Sequence, residues 1–150
     1  MRRAQAPSRG CVHFGINHLM GAILLDTTVL IDLLRGRAGA VLGLRMVREA
    51  GDDPYACAVN IEEVARGLRP REHEAARRLV DGVRDAPLGT EEGWQAGLWR
   101  RDFAARGRTL SQADCLVAAA ALSIGGRLAT GNPKHFPMRD LDVEHWPAGA

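Results

Sequence analysis

The chain has 150 residues, 46% hydrophobic and 25% charged, with a formal net charge of +2. That is enough apolar material for one globular domain with its own core, and too little length for two. No apolar run approaches the ~20 residues that cross a bilayer, and no signal-peptide pattern is visible, so a cytoplasmic protein without membrane attachment is expected.

The positive charge is unevenly placed. Residues 1–19 hold Arg2, Arg3 and Arg9 and no acid, which leaves −1 on the rest of the chain. The body is therefore not basic, and any nucleic-acid footprint must be local. Arg35 with Arg37, and Arg100, Arg101, Arg106 and Arg108, are the candidate clusters; each also reads as a solvated helix face. Cys11, Cys57 and Cys115 are scattered, with no C-x-x-C pair, and read as buried thiols rather than zinc ligands.

Residues 1–19 lack a clear period and precede a second methionine, Met20. They are read as a flexible extension, or as lying upstream of the true start, with the domain over 20–150. Residues 22–25, AILL, make a short buried strand; Thr27 or Thr28 can cap a helix through Leu34, stopped by Gly36. A second helix over about 38–50 is expected to bury Val41, Leu42, Leu44 and Val47, with Gly51 ending it. Pro54 opens a strand over 55–59, and Asn60 caps the helix IEEVARGL, which stops before Pro70. A helix over about 71–84 carries Ala75, Ala76, Leu79, Val80 and Val83 on one side, and a short third strand is expected at 86–88.

Thr90 then caps a long helix to about Ala105, closed by Gly107. Ser111 starts the most apolar helix, ADCLVAAAALSI, whose nearly all-round apolar character places it in the middle of the molecule. RLAT is a fourth strand and LDVEHW a fifth, at an edge. Strands alternating with helices predict an α/β domain with a mainly parallel sheet and helices on both faces.

In such sheets ligands sit beyond the carboxyl ends of the strands. Asp26 ends the first strand, Asn60, Glu62 and Glu63 follow the second, and Thr130, Asn132 and His135 follow the fourth; Asp114 opens the central helix. Carboxylates gathered in one place call for a counter-charge, and a hard divalent cation such as Mg²⁺, or Mn²⁺, supplies it. Such an ion also polarises phosphate and acidifies water, so phosphodiester hydrolysis is the chemistry expected. Taken singly, the acids also read as helix caps: SQAD at 111–114 and NIEE at 60–63 both have the capping-box spacing, and Asp26 suits a helix N-terminus.

Four segments carry a resemblance: LLDTTVLIDLLRG at 24–36, NIEEVARGL at 60–68, LSQADCLVAAAAL at 110–122 and LATGNPKHFP at 128–137. In this order and spacing, from about Ala22 to Trp146, the chain resembles the PIN-domain ribonucleases and, within them, the VapC toxins of bacterial toxin-antitoxin pairs. The resemblance implies a single-domain PIN-like three-layer sandwich with a short, mainly parallel sheet flanked by helices. It implies that Asp26, Glu63 and Asp114 are the metal-holding acids. Glu63 rather than Glu62 is chosen because the family's glutamate stands four residues before a glycine, here Gly67. Thr130 and Asn132 match the family's T-x-N, and Thr28 its small hydroxyl residue after the first aspartate.

The family often has a fourth aspartate where this chain has His135, a neutral side chain that leaves less negative charge for a second metal ion; His135 reads equally as ligand, phosphate contact or loop residue. Asp140 and Asp32 are weaker neighbours of the site. The implied mechanism is hydrolysis of RNA by a metal-activated water, with Arg35 or Arg108 steering the RNA backbone. The implied partners are a small antitoxin and a second copy of the chain, the dimer using Trp94 and Leu98. Two other readings stay open. One is an interaction module whose acids only cap helices. The other is a haloacid-dehalogenase-type phosphatase, disfavoured because Thr28 stands where its second aspartate is needed.

Overall fold

A computed structural model describes residues 21–149, so the expected N-terminal extension over 1–19, with Cys11, lies outside the described residues. Five strands, β1 (Ala22–Leu25), β2 (Asp53–Cys57), β3 (Arg84–Ala86), β4 (Arg127–Thr130) and β5 (Asp142–His145), form one sheet in the order β3-β2-β1-β4-β5. Every pairing is parallel. The connections include six helices: α1 (Thr27–Leu34), α2 (Ala38–Glu49), α3 (Ala58–Arg66), α4 (His73–Asp81), α5 (Thr90–Ala105) and α6 (Gln112–Ser123).

The inner strands are buried on both faces, as parallel strands must be when helices cover both sides. Leu24, Cys57 and Leu128 point into a core shared with Ala96 and Trp99 of α5 and with Cys115 and Val117 to Ala121 of α6. Ile23, Leu25, Ala56 and Ala129 point the other way, against Val29 and Leu30 of α1, Val47 of α2, Val64 of α3 and Ala76 of α4. The alternation along each strand thus generates the three layers. Cys57 and Cys115 are free and buried; burial pushes both thiols up, Cys115 to about 11, so neither is a thiolate at neutral pH.

Several elements differ from the sequence expectation. Asp26, not Thr27 or Thr28, occupies the N-cap position of α1, and its side chain makes no capping hydrogen bond. β2 begins at Asp53 and ends at Cys57, so α3 starts three residues early and Asn60 is its third residue, fully buried, instead of its cap. NIEE is therefore not a capping box, and Glu63 lies inside the helix. β3 stops at Ala86 because Pro87 has no N–H to continue the ladder, and α4 is shorter than expected. Gly89, not Thr90, precedes α5, its N–H bonded to the Glu92 carboxylate at 2.7 Å.

α2 turns a different face inward. Ala40 and Val47 are buried, whereas Val41 and Leu42 are exposed. The cause is close contact: Gly39 and Gly43 lie against the backbone of Pro147 and Ala148 and the ring of Trp146, an approach only residues without a Cβ allow. The turn glycine Gly36, at φ 68°, ends α1 as the sequence suggested.

Candidate active site

The first strand delivers Asp26 to the carboxyl edge of the sheet, and β4 delivers Thr130 beside it. The register explains why: Leu25 pairs with Ala129, and the Asp26 N–H continues the ladder to the Ala129 carbonyl at 2.9 Å. Thr130 Oγ1 donates to Asp26 Oδ2 at 2.8 Å and Thr28 Oγ1 donates to the same oxygen at 3.2 Å. Both hydroxyls are held from outside: Thr130 Oγ1 accepts the Asn132 N–H at 3.0 Å and Thr28 Oγ1 accepts the Gly131 N–H at 2.9 Å. Thr28 and Thr130 thus meet on Asp26, and the backbone of Asn132 holds Thr130.

Asp26 is 6% exposed. Burial is the largest influence on its carboxyl and pushes its pKa up; the hydrogen bonds from Thr130, the Thr27 backbone and Thr28 oppose this, and the charge of Asp114 adds to the rise. Asp114 lies in the first turn of α6, where its N–H is capped by Ser111 Oγ at 3.0 Å. Its carboxylate faces His135, in the 3₁₀ turn Pro133–His135, with 3.5 Å between Nδ1 and Oδ2.

Glu63 arrives from α3. It is half-buried, and its Oε1 accepts the Thr27 hydroxyl at 2.5 Å, from the residue next to Asp26. Glu62 is exposed and paired with Arg66 at 3.3 Å, so the two glutamates differ in partner. Asp140 is exposed and Asp32 half-buried on α1; neither donates to or accepts from Asp26, Glu63 or Asp114 among the described hydrogen bonds. Arg35 is engaged by Glu72 through contacts of 3.0 and 3.4 Å, which raise the guanidinium pKa and lower that of Glu72. Arg108 is exposed and donates to the Lys134 carbonyl, next to His135.

Two residues at this edge were given no role in the acidic site by the sequence: Thr27, read as a cap, and Asn60, read as a cap that falls at the sheet's carboxyl edge. Asn60 Nδ2 donates to Thr27 Oγ1 at 3.2 Å, and its Oδ1 accepts the Cys57 N–H at 3.0 Å. A polar residue at the third position of a helix whose neighbours are apolar is the signal that could have flagged Asn60.

The donor set is all-oxygen apart from His135, the chemistry that suits a hard divalent ion, and burial keeps the Asp26 carboxyl raised. Among the described residues no three His, Cys, Asp or Glu side chains already stand close enough together to enclose an ion. The fit to a metal therefore rests on one buried acid with two nearby, and Mg²⁺, which keeps several waters, needs only one or two direct carboxylates.

Residues 23–140 match the PIN domain family. Among curated proteins, the chain is similar to Ribonuclease VapC10 of Mycobacterium tuberculosis, 34% identical over 117 residues that cover 77% of this chain and 86% of that protein. It is also similar to Ribonuclease VapC19 of the same organism, 29% identical over 115 residues covering 77% and 92%. In fold it is similar to a chain of DNA-bound VapBC from Salmonella typhimurium, with a TM-score of 0.74 at 19% identity over 85% of this chain and 99% of that one. VapBC2 from Rickettsia felis, bound to a promoter DNA fragment, gives 0.72 at 16% identity over 83% and 98%.

Proposed function

The chain belongs to the PIN domain family, in its VapC branch, and on that premise we propose that it is a Mg²⁺-dependent endoribonuclease toxin, cytoplasmic and restrained by a cognate antitoxin. The observation that supports this reading is the buried Asp26 carboxylate at the sheet's carboxyl edge, with the charge of Asp114 acting on it and Glu63 bonded to the adjacent Thr27. These three acids would hold the ion, with Mn²⁺ as an alternative to Mg²⁺. Such an ion supplies charge neutralisation for a phosphoryl group and lowers the pKa of water.

The chain's own side chains do the rest. Thr28 and Thr130 fix the orientation of Asp26 by donating to one of its oxygens, which leaves the carboxylate poised in a single rotamer. Asn132 fixes Thr130 through its own N–H. Arg108, exposed beside Lys134 and His135, is the arginine best placed to meet an RNA backbone; Arg35, held by Glu72, is the second candidate. His135 borders Asp114, where it would meet either the ion or the phosphate.

The named relatives are ribonucleases, and the structural neighbours were solved as VapBC complexes. An antitoxin partner is accordingly part of the reading. An open groove of ≈ 570 Å³, lined by Leu33, Val41, Leu44, Arg45, Arg48 and Leu79, offers an apolar floor for a segment of it. Trp94, 71% exposed on α5 with Leu98 one turn on, is the surface proposed for a homodimer. The deciding experiment incubates the purified protein with total cellular RNA and maps new 5′ ends with Mg²⁺ and with EDTA. Cuts that need the metal and vanish in Asp26→Asn are expected; cuts that persist in EDTA or in the variant would overturn the proposal.

A further inference from the structure

Behind the acidic site lies a hydrogen-bond chain with a fixed direction. It begins at the Cys57 backbone N–H, which donates to Asn60 Oδ1 at 3.0 Å; the Cys57 thiol lies 3.2 Å from the same oxygen. A backbone N–H is only ever a donor, so that oxygen is fixed as the acceptor and the amide must present its Nδ2 hydrogens on the other side. There Nδ2 donates to Thr27 Oγ1 at 3.2 Å. A hydroxyl has a single proton, and with a lone pair already taken by Asn60 that proton points to Glu63 Oε1, 2.5 Å away.

We infer that Thr27 and Asn60 are positioning residues for Glu63: the relay from the end of β2 through Asn60 and Thr27 holds the glutamate carboxylate in the orientation in which it can share a cation with Asp26. The inference rests on the acidic site being the metal site. Three observations separate it from ordinary helix capping. Asn60 is fully buried, and while its Oδ1 closes a capping box on α3 by accepting the Cys57 N–H, its Nδ2 leaves that helix end to reach Thr27 of α1. Thr27 is the residue directly after Asp26, so the same turn of backbone that sets the aspartate also sets the glutamate's partner. The hydrogen bond links α1 to α3 across 36 residues, whereas a capping bond stays within its own helix end. Partners that orient a metal-holding carboxylate matter nearly as much as the carboxylate itself, with effects of roughly 10- to 100-fold on metal affinity.

The test measures Mn²⁺ binding to the full chain without RNA, by electron paramagnetic resonance of the free ion, beside the Mg²⁺ dependence of RNA cleavage. Thr27→Val removes the hydroxyl at constant shape; Thr27→Ser keeps it; Glu63→Gln reports whether the glutamate matters at all. The expected result is a Kd for Mn²⁺ raised roughly 10-fold in Thr27→Val and within about threefold of the parent in Thr27→Ser. Cleavage by Thr27→Val should recover as Mg²⁺ is raised. If Glu63→Gln weakens binding and Thr27→Val binds like the parent, the relay is overturned and the acidic site stands. Equal loss in Thr27→Ser and Thr27→Val also overturns it, because the hydroxyl would not be the cause. If the parent binds no Mn²⁺, or Glu63→Gln binds as tightly as the parent, the metal reading fails and the relay's role fails with it.

Discussion

Thr130, the last residue of β4, donates its hydroxyl to Asp26 Oδ2 at 2.8 Å, joining positions 104 residues apart in the middle of the sheet's carboxyl edge. The bond opposes the effect of burial, which dominates and keeps the Asp26 carboxyl above the usual aspartate range. A buried acid in this condition is a strain on the fold that a bound cation or a neutral replacement relieves.

Asp26→Asn is therefore expected to abolish cleavage and to raise the stability of the metal-free protein at neutral pH. The direction follows from linkage. A carboxyl whose folded-state pKa lies above its unfolded value contributes stability that is fully present below about pH 4 and is lost as pH rises through the folded pKa. Above its folded pKa the ionised Asp26 is thus a net cost to the fold. Thermal unfolding in EDTA should show the variant's advantage at pH 7 and its disappearance near pH 4. Adding Mg²⁺ should raise the Tm of the parent and leave the variant unchanged. A variant less stable than the parent at pH 7 would mean that the carboxylate serves the fold.

Asp114 separates the metal reading from the capping one. Ser111 Oγ, not the Asp114 carboxylate, carries the cap of α6 by accepting the Asp114 N–H. Ser111→Ala should lower stability by about 1 kcal/mol in urea denaturation. Asp114→Asn should leave stability within about 0.5 kcal/mol of the parent and remove Mg²⁺-dependent cleavage. Were the two variants to destabilise alike with cleavage retained, the acid would be a helix cap.

The order of the strands and helices could be read from the sequence, because a strand buried on both faces leaves a continuous apolar run such as AILL. The mainly parallel pairing was expected from the helices between the strands, whereas β5 joins β4 in parallel across only the short 3₁₀ turn Pro133–His135. What the sequence hid was decided by close contact. Val41 and Leu42 look like core residues, yet Gly39 and Gly43 determine which side of α2 meets the C-terminal segment. Asn60 and Thr27 have the composition of caps, and only the early start of α3 turns one into a buried amide and the other into a partner for Glu63. The acids were singled out by their spacing along the chain, which, unlike their partners, does not depend on where a helix begins.

His135 faces Asp114 at 3.5 Å, where PIN-type sequences often place an aspartate. An imidazole favours Mn²⁺ over Mg²⁺ relative to a carboxylate, and it adds no negative charge. His135→Asp is expected to shift the ratio of Mg²⁺- to Mn²⁺-supported cleavage upward by several-fold. The measurement is initial rate on one RNA across a titration of each ion. An unchanged ratio would place His135 outside the ion's reach.

The closeness of Gly43 to Trp146 yields a prediction for the fold. A Cβ at Gly43 would stand 2.6 Å from Cε3 and Cζ3 of the indole, and Trp146, 8% exposed, has packed neighbours that limit its retreat. Replacing glycine by alanine inside a helix normally gains about 1 kcal/mol. Overpacking costs about 1–3 kcal/mol, so in Gly43→Ala the clash outweighs the gain and the protein should be destabilised. Gly97, inside α5, meets nothing within 4 Å of a Cβ. Gly97→Ala should therefore keep the helical gain and stabilise the protein by up to about 1 kcal/mol. Urea denaturation of the two single variants should give opposite signs. Equal signs would mean that helix propensity, not the contact with Trp146, sets the cost at Gly43.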